Sequence, residues 1–432
     1  MREMKDSGVA WIGKIPAQWD VRKIASVVPV VTDFVASGSF ADLRENVKYI
    51  DTPDYAMLVR TADLSGTRDN TVYIDKHAYE YLSNSNLFGG EIILSNIGSV
   101  GNVFQYTPMY ERSSLAPNAI MLNGTECNRY LYYWFLNPIA NDELKRIGSQ
   151  AVQLKFNKTQ LKQMAIVYPP LEIQHKIAAH LDRKCTQIDL LIANEEQQIA
   201  KLKAYKQSVI TETVTKGLDS DVPLKDSGIE WIGEIPERWE VTRVKNKFSL
   251  RNEKNYEPDL SKVNLISLYT DLGVIQHSDI KETSGNKAVT AEGYKKVYEG
   301  DIVVNIILCW MGAIGKSSYN GVTSPAYDIY KPLNNTNSNY YHYLFRTKRF
   351  NGECYRNGRG IMMMRWRTYS TEFSSIFIPE PPYEEQQQIA DYLDKKCEQI
   401  DRLIAIKNQK IEKLQQYKKS LIYEFVTGKK EV

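Results

Sequence analysis

The sequence predicts an α+β protein in which two globular domains and two long helices are written as an internal repeat. Three observations carry this. A short block, "KDSGVAWIGKIPAQWDV" at Lys5–Val21, returns as "KDSGIEWIGEIPERWEV" at Lys225–Val241, 220 residues later. A longer block at Pro169–Thr215 returns at Pro381–Thr427, offset by 212, with 27 of 47 aligned positions identical. The residues between these blocks carry short β-like runs and glycine turns in both copies. Agreement at this level marks duplication of one supersecondary frame. The two offsets differ by eight residues, so the intervening material is shorter in the second copy. The expected boundaries are 1–168 and 219–380 for the globular domains, and 169–218 and 381–432 for the helical segments.

Taken in chain order, the opening block is the invariant entry of each copy. The two middles follow. "GEIILSN" from Gly90 resembles "GDIVVNI" from Gly300, and each leads into a glycine-rich turn, "GSVGNV" at Gly98 and "GAIGKS" at Gly312. An aromatic helical stretch comes next, "YLYYWF" from Tyr130 and "YYHYLF" from Tyr340. Tyr and Trp at helical spacing more often build a core than a binding platform, so these are expected inside. The tails "GSQAVQLKF" (Gly148–Phe156) and "GRGIMMMRW" (Gly358–Trp366) also match in pattern. The middles are therefore expected to share one α+β fold and to differ in most side chains.

The long blocks read as helices. Prolines open each, where a missing N–H costs nothing, and Glu172 and Glu384 follow in the first turn, where the helix dipole favours negative charge. Gly217 and Gly428 close them. In the first copy Leu181, Ile188, Glu195, Leu202 and Val209 recur every seven residues, interleaved with Cys185, Ile192, Ile199 and Lys206. The second copy repeats the pattern with Leu393, Ile400, Lys407, Leu414 and Leu421, interleaved with Cys397, Ile404, Ile411 and Lys418. That is an a/d heptad in both. Each helix could pack on its own domain, or the two could pair. Shared length, shared register and the shared Cys rung favour pairing. A helix of about 44 residues spans ~65 Å, which suits it to setting a distance.

Composition narrows the function. The chain is 432 residues long with net charge +3, 43% hydrophobic and 25% charged, as ordinary globular proteins are. No apolar run approaches the ~20 residues of a membrane helix, and the first residues lack a secretory pattern; a cytoplasmic protein is expected. The five cysteines form no CxxC pair, and the five histidines form no metal-binding spacing. "GAIGKS" has Trp310 where a phosphate loop needs glycine. "EPPY" (Glu380–Tyr383) is close to a methyltransferase motif, but its first-copy counterpart is "YPPL", and a helix start explains both. "TPD" at Thr52–Asp54 lacks the partners of a nuclease site. No catalytic residue and no metal ligand is expected. The charge is uneven, however. Arg346, Lys348, Arg349, Arg356, Arg359, Arg365 and Arg367 fall within 22 residues. Arginine suits bidentate contacts to phosphate or guanine; a solvated charged face is the plainer reading. The first middle has a thinner set, Lys145, Arg146, Lys155, Lys158 and Lys162, of which the first four are the candidates.

The blocks "DSGVAWIGKIPAQW" and "DSGIEWIGEIPERW", with "PPLEIQHKIAAHLD" and "PPYEEQQQIADYLD", carry a family resemblance across the whole chain. It resembles the specificity subunit of a type I restriction-modification system. That resemblance implies two target recognition domains, each reading one half of a split, asymmetric site in double-stranded DNA. It implies that the two long helices form an antiparallel coiled coil, a spacer with pseudo-twofold symmetry, on which two methyltransferase subunits dock. Restriction subunits join through the complex. It also implies that this chain holds no cofactor: S-adenosylmethionine belongs to the methyltransferase, and ATP and Mg to the motor. A self-contained methyltransferase or nuclease, or a scaffold whose middles bind protein, are the rival readings.

Overall fold

The computed structural model describes residues 3–67, 70–150, 153–279, 290–360 and 366–432, with 149 and 150 in backbone only. The chain divides into two compact units, Met1–Glu195 with Asn408–Val432, and Glu196–Lys407. Each is built on the same scaffold.

In the first unit the opening block folds as a hairpin, Met4–Asp6 against Lys14–Pro16. Its turn is fixed by Asp6, whose carboxylate accepts the Gly8 N–H at 2.8 Å. A four-stranded antiparallel sheet follows in the order Val30–Asp33, Ala119–Asn123, Ile92–Ser95, Val103–Gln105. Helix Asn128–Leu136 packs with it through buried Tyr130, Leu131, Tyr133, Trp134 and Phe135. Strand Ala165–Tyr168 returns to pair with Asp20–Lys23. The second unit repeats every step. Its hairpin is Leu224–Asp226 with Glu234–Pro236, and its sheet runs Phe248–Leu250, Tyr327–Pro332, Ile302–Asn305, Ile314–Lys316. Its helix is Ser338–Phe345, and Phe377–Glu380 pairs with Glu240–Arg243. The aromatic runs are core, as their spacing suggested: Tyr340, Tyr341 and Phe345 are fully buried too.

The likeness of the middles extends beyond this scaffold. The first unit inserts a second four-stranded sheet, Tyr73–Ile74, Ala56–Val59, Ser113–Leu115, Asn86–Leu87, in which Ala56–Val59 and Ser113–Leu115 run parallel. It has its own core, including Phe34, Leu43, Leu58, Ile74 and Leu82. The second unit repeats this sheet: Gly273–Gln276 pairs with Ile266–Tyr269, Lys295–Val297 pairs with Gly321–Thr323, and a parallel bridge between Leu265 and Val322 joins the two pairs in the same order. The middles therefore share one fold, as their sequence pattern suggested, and differ in side chains and in connections such as helices Phe40–Asn46 and Lys76–Tyr81 of the first unit.

The long helices are Leu171–Lys216 and Tyr383–Val426. Each entry is locked by a buried glutamine: Gln174 donates to the Pro169 carbonyl at 2.9 Å, and Gln386 to that of Pro381 at 2.8 Å. Each exit uses a left-handed glycine, Gly217 (φ 82°) and Gly428 (φ 70°).

Both helices contribute to both units. In the first unit, Leu181, Cys185 and Ile188 share one core with Leu421, Ile422, Phe425 and Val426. Asp189 pairs with Lys418 at 2.7 Å and Glu195 with Lys410 at 2.6 Å. Residue numbers rise along one helix as they fall along the other, so the pairing is antiparallel. In the second unit Ile210 and Val214 share a core with Ile389, Leu393 and Cys397. Lys206 pairs with Asp401 at 2.7 Å and Lys407 donates to Gln198 at 2.5 Å, again antiparallel. Asp189 and Asp401, and Lys206 and Lys418, are equivalent repeat positions, so the same ion pair is made twice. Of the expected rungs, Leu181, Cys185, Ile188, Ile199, Leu393, Cys397, Ile400 and Leu421 are buried; Ile192, Leu202, Val209, Ile404, Ile411 and Leu414 are half-buried. The helices thus pair with each other and pack on globular domains at once.

The opening block now has a structural role in each unit. Trp19 is buried where the second helix ends, and a Cβ at Gly428 would strike its ring. Trp239 is buried where the first helix ends, 3.4 Å from a Cβ built at Gly217. Each domain therefore seats the start of its own helix and the end of the other.

Candidate nucleic-acid interface

Three elements gather in each unit: a glycine turn, a short helix and an antiparallel strand pairing. The helices are Pro138–Ile147, in which Asp142 and Glu143 balance Lys145 and Arg146, and the basic Lys348–Asn357; Asn137 and Thr347 cap them. In the second, Phe350 and Cys354 lie four residues apart and are buried, which turns Lys348, Arg349 and Arg356 outward. The glycine turn sits on an asparagine of this helix in both copies. Gly101 (φ 101°) has its carbonyl bonded by Asn141 at 2.5 Å, and a Cβ at Gly312 (φ 93°) would lie 3.1 Å from the Asn351 amide. The strand pairings are Ser149–Gln150 with Leu154–Lys155 in the first unit and the antiparallel Arg359–Arg367 bridge in the second.

The expected site residues fall into three groups. Lys155, Lys348, Arg349 and Arg367 are exposed with no carboxylate partner among the described residues. A second group is exposed in whole or part but ion-paired. Lys145 meets Asp142 (3.5 Å), Arg146 meets Glu143 (2.5 Å) and Lys158 meets Asp33 (2.7 Å). Arg356 meets Glu230 (3.0 Å), and Arg359 meets Glu372 (3.1 Å). Arg346 stands alone in facing inward. Its guanidinium donates to the carbonyls of Ile314 (2.9 Å), Thr270 (2.8 Å) and Asp271 (3.0 Å), and burial lowers its pKa. It ties the turn of hairpin Ile266–Gln276 to the glycine-turn strand. Arg365 lies outside the described residues.

His342 stands beside Arg346. Its Nδ1 accepts the Lys316 N–H at 3.1 Å. Burial, then the charges of Arg346 and Lys316, pull its pKa down to about 3, so the imidazole is neutral.

Two features escaped the sequence reading. The first is a ladder of rings beside the Arg359–Arg367 bridge, Trp310–Tyr355–Trp366, with centroids 5.6 and 4.8 Å apart. The second lies on the outer faces of the long helices: Leu191 and Tyr417 in the first unit, and their repeat equivalents Leu403 and Tyr205 in the second, are exposed. The signal for both was apolar residues off the heptad seam or inside a basic window, which residue type alone does not separate from core. Among the described residues no group of three or more His, Cys, Asp or Glu could hold a metal ion, and no helix is long and apolar enough to cross a membrane.

Known proteins of similar sequence and fold place the chain in a family. The family model for the type I restriction modification DNA specificity domain matches residues 16–204 and again 236–416. The putative type I restriction enzyme MjaX specificity subunit of Methanocaldococcus jannaschii is 26% identical over 97% of this chain and 95% of its own length. The MjaVIII specificity subunit of that organism is 27% identical over 63% of this chain and 64% of its own. In structure, the chain resembles one from a study of complex assembly and conformational transition in a type I restriction-modification system. The TM-score is 0.68 at 13% identity, covering 96% of this chain and 99% of that one. The HsdS subunit of Thermoanaerobacter tengcongensis matches with a TM-score of 0.50 at 13% identity over 96% and 98%.

Proposed function

The chain belongs to the type I restriction-modification DNA specificity family, as a non-catalytic specificity subunit with two DNA-recognition domains, and from that premise we propose how it reads DNA. Each domain reads one half of a bipartite site with its glycine turn, the short helix beside it and the strand pairing that follows. The paired helices fix the number of unread base pairs between the halves. Phosphate contacts supply affinity and orientation, and base edges supply sequence. The observation that carries this reading is one fold duplicated with unlike side chains and connections: equal frames predict two half-sites, and unlike surfaces predict an asymmetric site.

The exposed pairs Leu191/Tyr417 and Leu403/Tyr205 support docking of one methyltransferase subunit on each half, since equivalent positions offer equivalent apolar contacts. S-adenosylmethionine then belongs to those subunits, and ATP with Mg to the restriction subunits.

Selection from random duplexes by the chain assembled with its methyltransferase subunit tests the reading. The expected product is one split site with unlike halves and a constant gap. A single uninterrupted motif, or no enrichment, would overturn it.

A further inference from the structure

The ring ladder differs from the rest of the interface because the repeat does not share it. Tyr355 and Trp366 correspond to Lys145 and Phe156 in the first unit, Phe156 is buried, and the turn before Gly101 holds no aromatic residue where the second unit has Trp310. The ladder is firmly built. The Tyr355 and Trp366 planes lie within 20° of each other. The Trp366 indole N–H donates to the Tyr355 carbonyl at 3.0 Å, and the Trp310 indole N–H to the Ile307 carbonyl at 2.8 Å. A Cβ at Gly358 would strike Trp366, so glycine is what lets the rings stack.

Both indole donors are therefore spent internally. What the ladder offers outward is aromatic surface, centred on Tyr355, which stays 41% exposed. Its hydroxyl makes no hydrogen bond among the described residues. Three arginines lie nearby in sequence: Arg356 and Arg359, 60% and 71% exposed and ion-paired to Glu230 and Glu372, and Arg367, exposed with no carboxylate partner among the described residues.

An aromatic surface beside exposed arginines complements a DNA groove, where phosphates flank base edges. A protein docking equally on both units would need the surface twice, and it occurs once. We infer that the Tyr355 ladder reads an apolar base edge, the 5-methyl group of a thymine, in the half-site assigned to the second domain. Thymine is the base that presents a methyl group in the major groove. This rests on the bipartite reading above.

The test uses the full chain with its methyltransferase subunit. Selection first defines both half-sites for the wild type; absence of any split site would sink the bipartite reading rather than this one. The expected second half-site contains a fixed T·A pair. Replacing that thymine by deoxyuridine removes only the methyl and should weaken wild-type binding about fivefold to tenfold. Uridine substitution in the other half-site should not act through the ladder, so Tyr355→Ala should leave its effect unchanged.

Tyr355→Ala should make the T·A position degenerate and abolish the uridine effect there, while Tyr355→Phe keeps both. The inference is overturned if the second half-site has no fixed T·A pair, if uridine costs nothing at every such pair, or if Tyr355→Phe behaves as Tyr355→Ala, which would make the hydroxyl the reader. It is also overturned if Tyr355→Ala impairs assembly with the methyltransferase subunit while leaving selection intact, which would make the surface a protein contact. Should Tyr355→Ala lower thermal stability, the uridine measurement on wild type decides alone.

Discussion

Arg346 and Lys348 are two residues apart in a basic window, yet they do different work. Arg346 bonds three main-chain carbonyls, and a charged donor to a buried acceptor contributes about 1.5–3 kcal/mol. Arg346→Ala should therefore lower the melting temperature of the second domain while leaving the slope of log affinity against log salt unchanged. Lys348→Ala and Arg349→Ala should do the reverse, each removing about 0.9 from the salt slope if each meets one phosphate. Equal salt-slope losses in all three would show that Arg346 reaches DNA after all. His342 adds a pH dependence. Its folded pKa is about 3, below the ~6.5 of an unfolded histidine. The unfolded chain then binds the extra proton, so the stabilisation is full above about pH 6.5 and lost as pH falls toward 3. The slope is at most about 1.4 kcal/mol per pH unit. Thermal melts at pH 7.5 and 5 should show the second domain weakening in acid, and His342→Gln should flatten that dependence.

Among the elements, the paired helices hold apolar rungs and exposed ion pairs, and their magnitudes differ. Lys206–Asp401 and Lys418–Asp189 involve aspartates that are 58% and 55% exposed, so each pair should be worth under about 1 kcal/mol. Leu393 is fully buried with Ile210 and Val214, and truncating such a leucine costs about 2–5 kcal/mol. Leu393→Ala should therefore destabilise the second unit in denaturant melts far more than Lys206→Ala does; a comparable loss from Lys206→Ala would mean the ion pair carries the contact. The sequence made these rungs legible because a heptad is a local pattern, and the seam has that period throughout. The same locality made the aromatic helices legible as core. What it left obscure was long-range. Arg346 and Lys348 look alike in sequence, because only the fold brings the carbonyls of Thr270 and Asp271 to one of them. The inserted sheet of the first unit pairs Ala56–Val59 with Ser113–Leu115, strands too far apart for any local period to join. Nor could a heptad say that the end of each helix is seated by the opening block of the other copy.

For the whole molecule, the repeat makes one quantitative claim about DNA. The antiparallel helices are the only elements that belong to both units among the described residues, so under the bipartite reading their length is the length of the gap. Seven residues inserted after Glu195 and another seven after Lys407 preserve the seam, because a heptad returns every rung to its face. They add about 10.5 Å at ~1.5 Å per residue, and DNA rises ~3.4 Å per base pair, so the gap should widen by about three base pairs. The half-sites should not change, because the recognition scaffolds and the Trp19 and Trp239 seats are untouched. Mapping methylated sites made by the lengthened chain in complex with its methyltransferase subunit reads both quantities at once. An unchanged gap would show that the spacing is set elsewhere. A changed half-site would show that the helices take part in base recognition, and a heptad in one helix alone should unseat the pairing and abolish methylation rather than shift it.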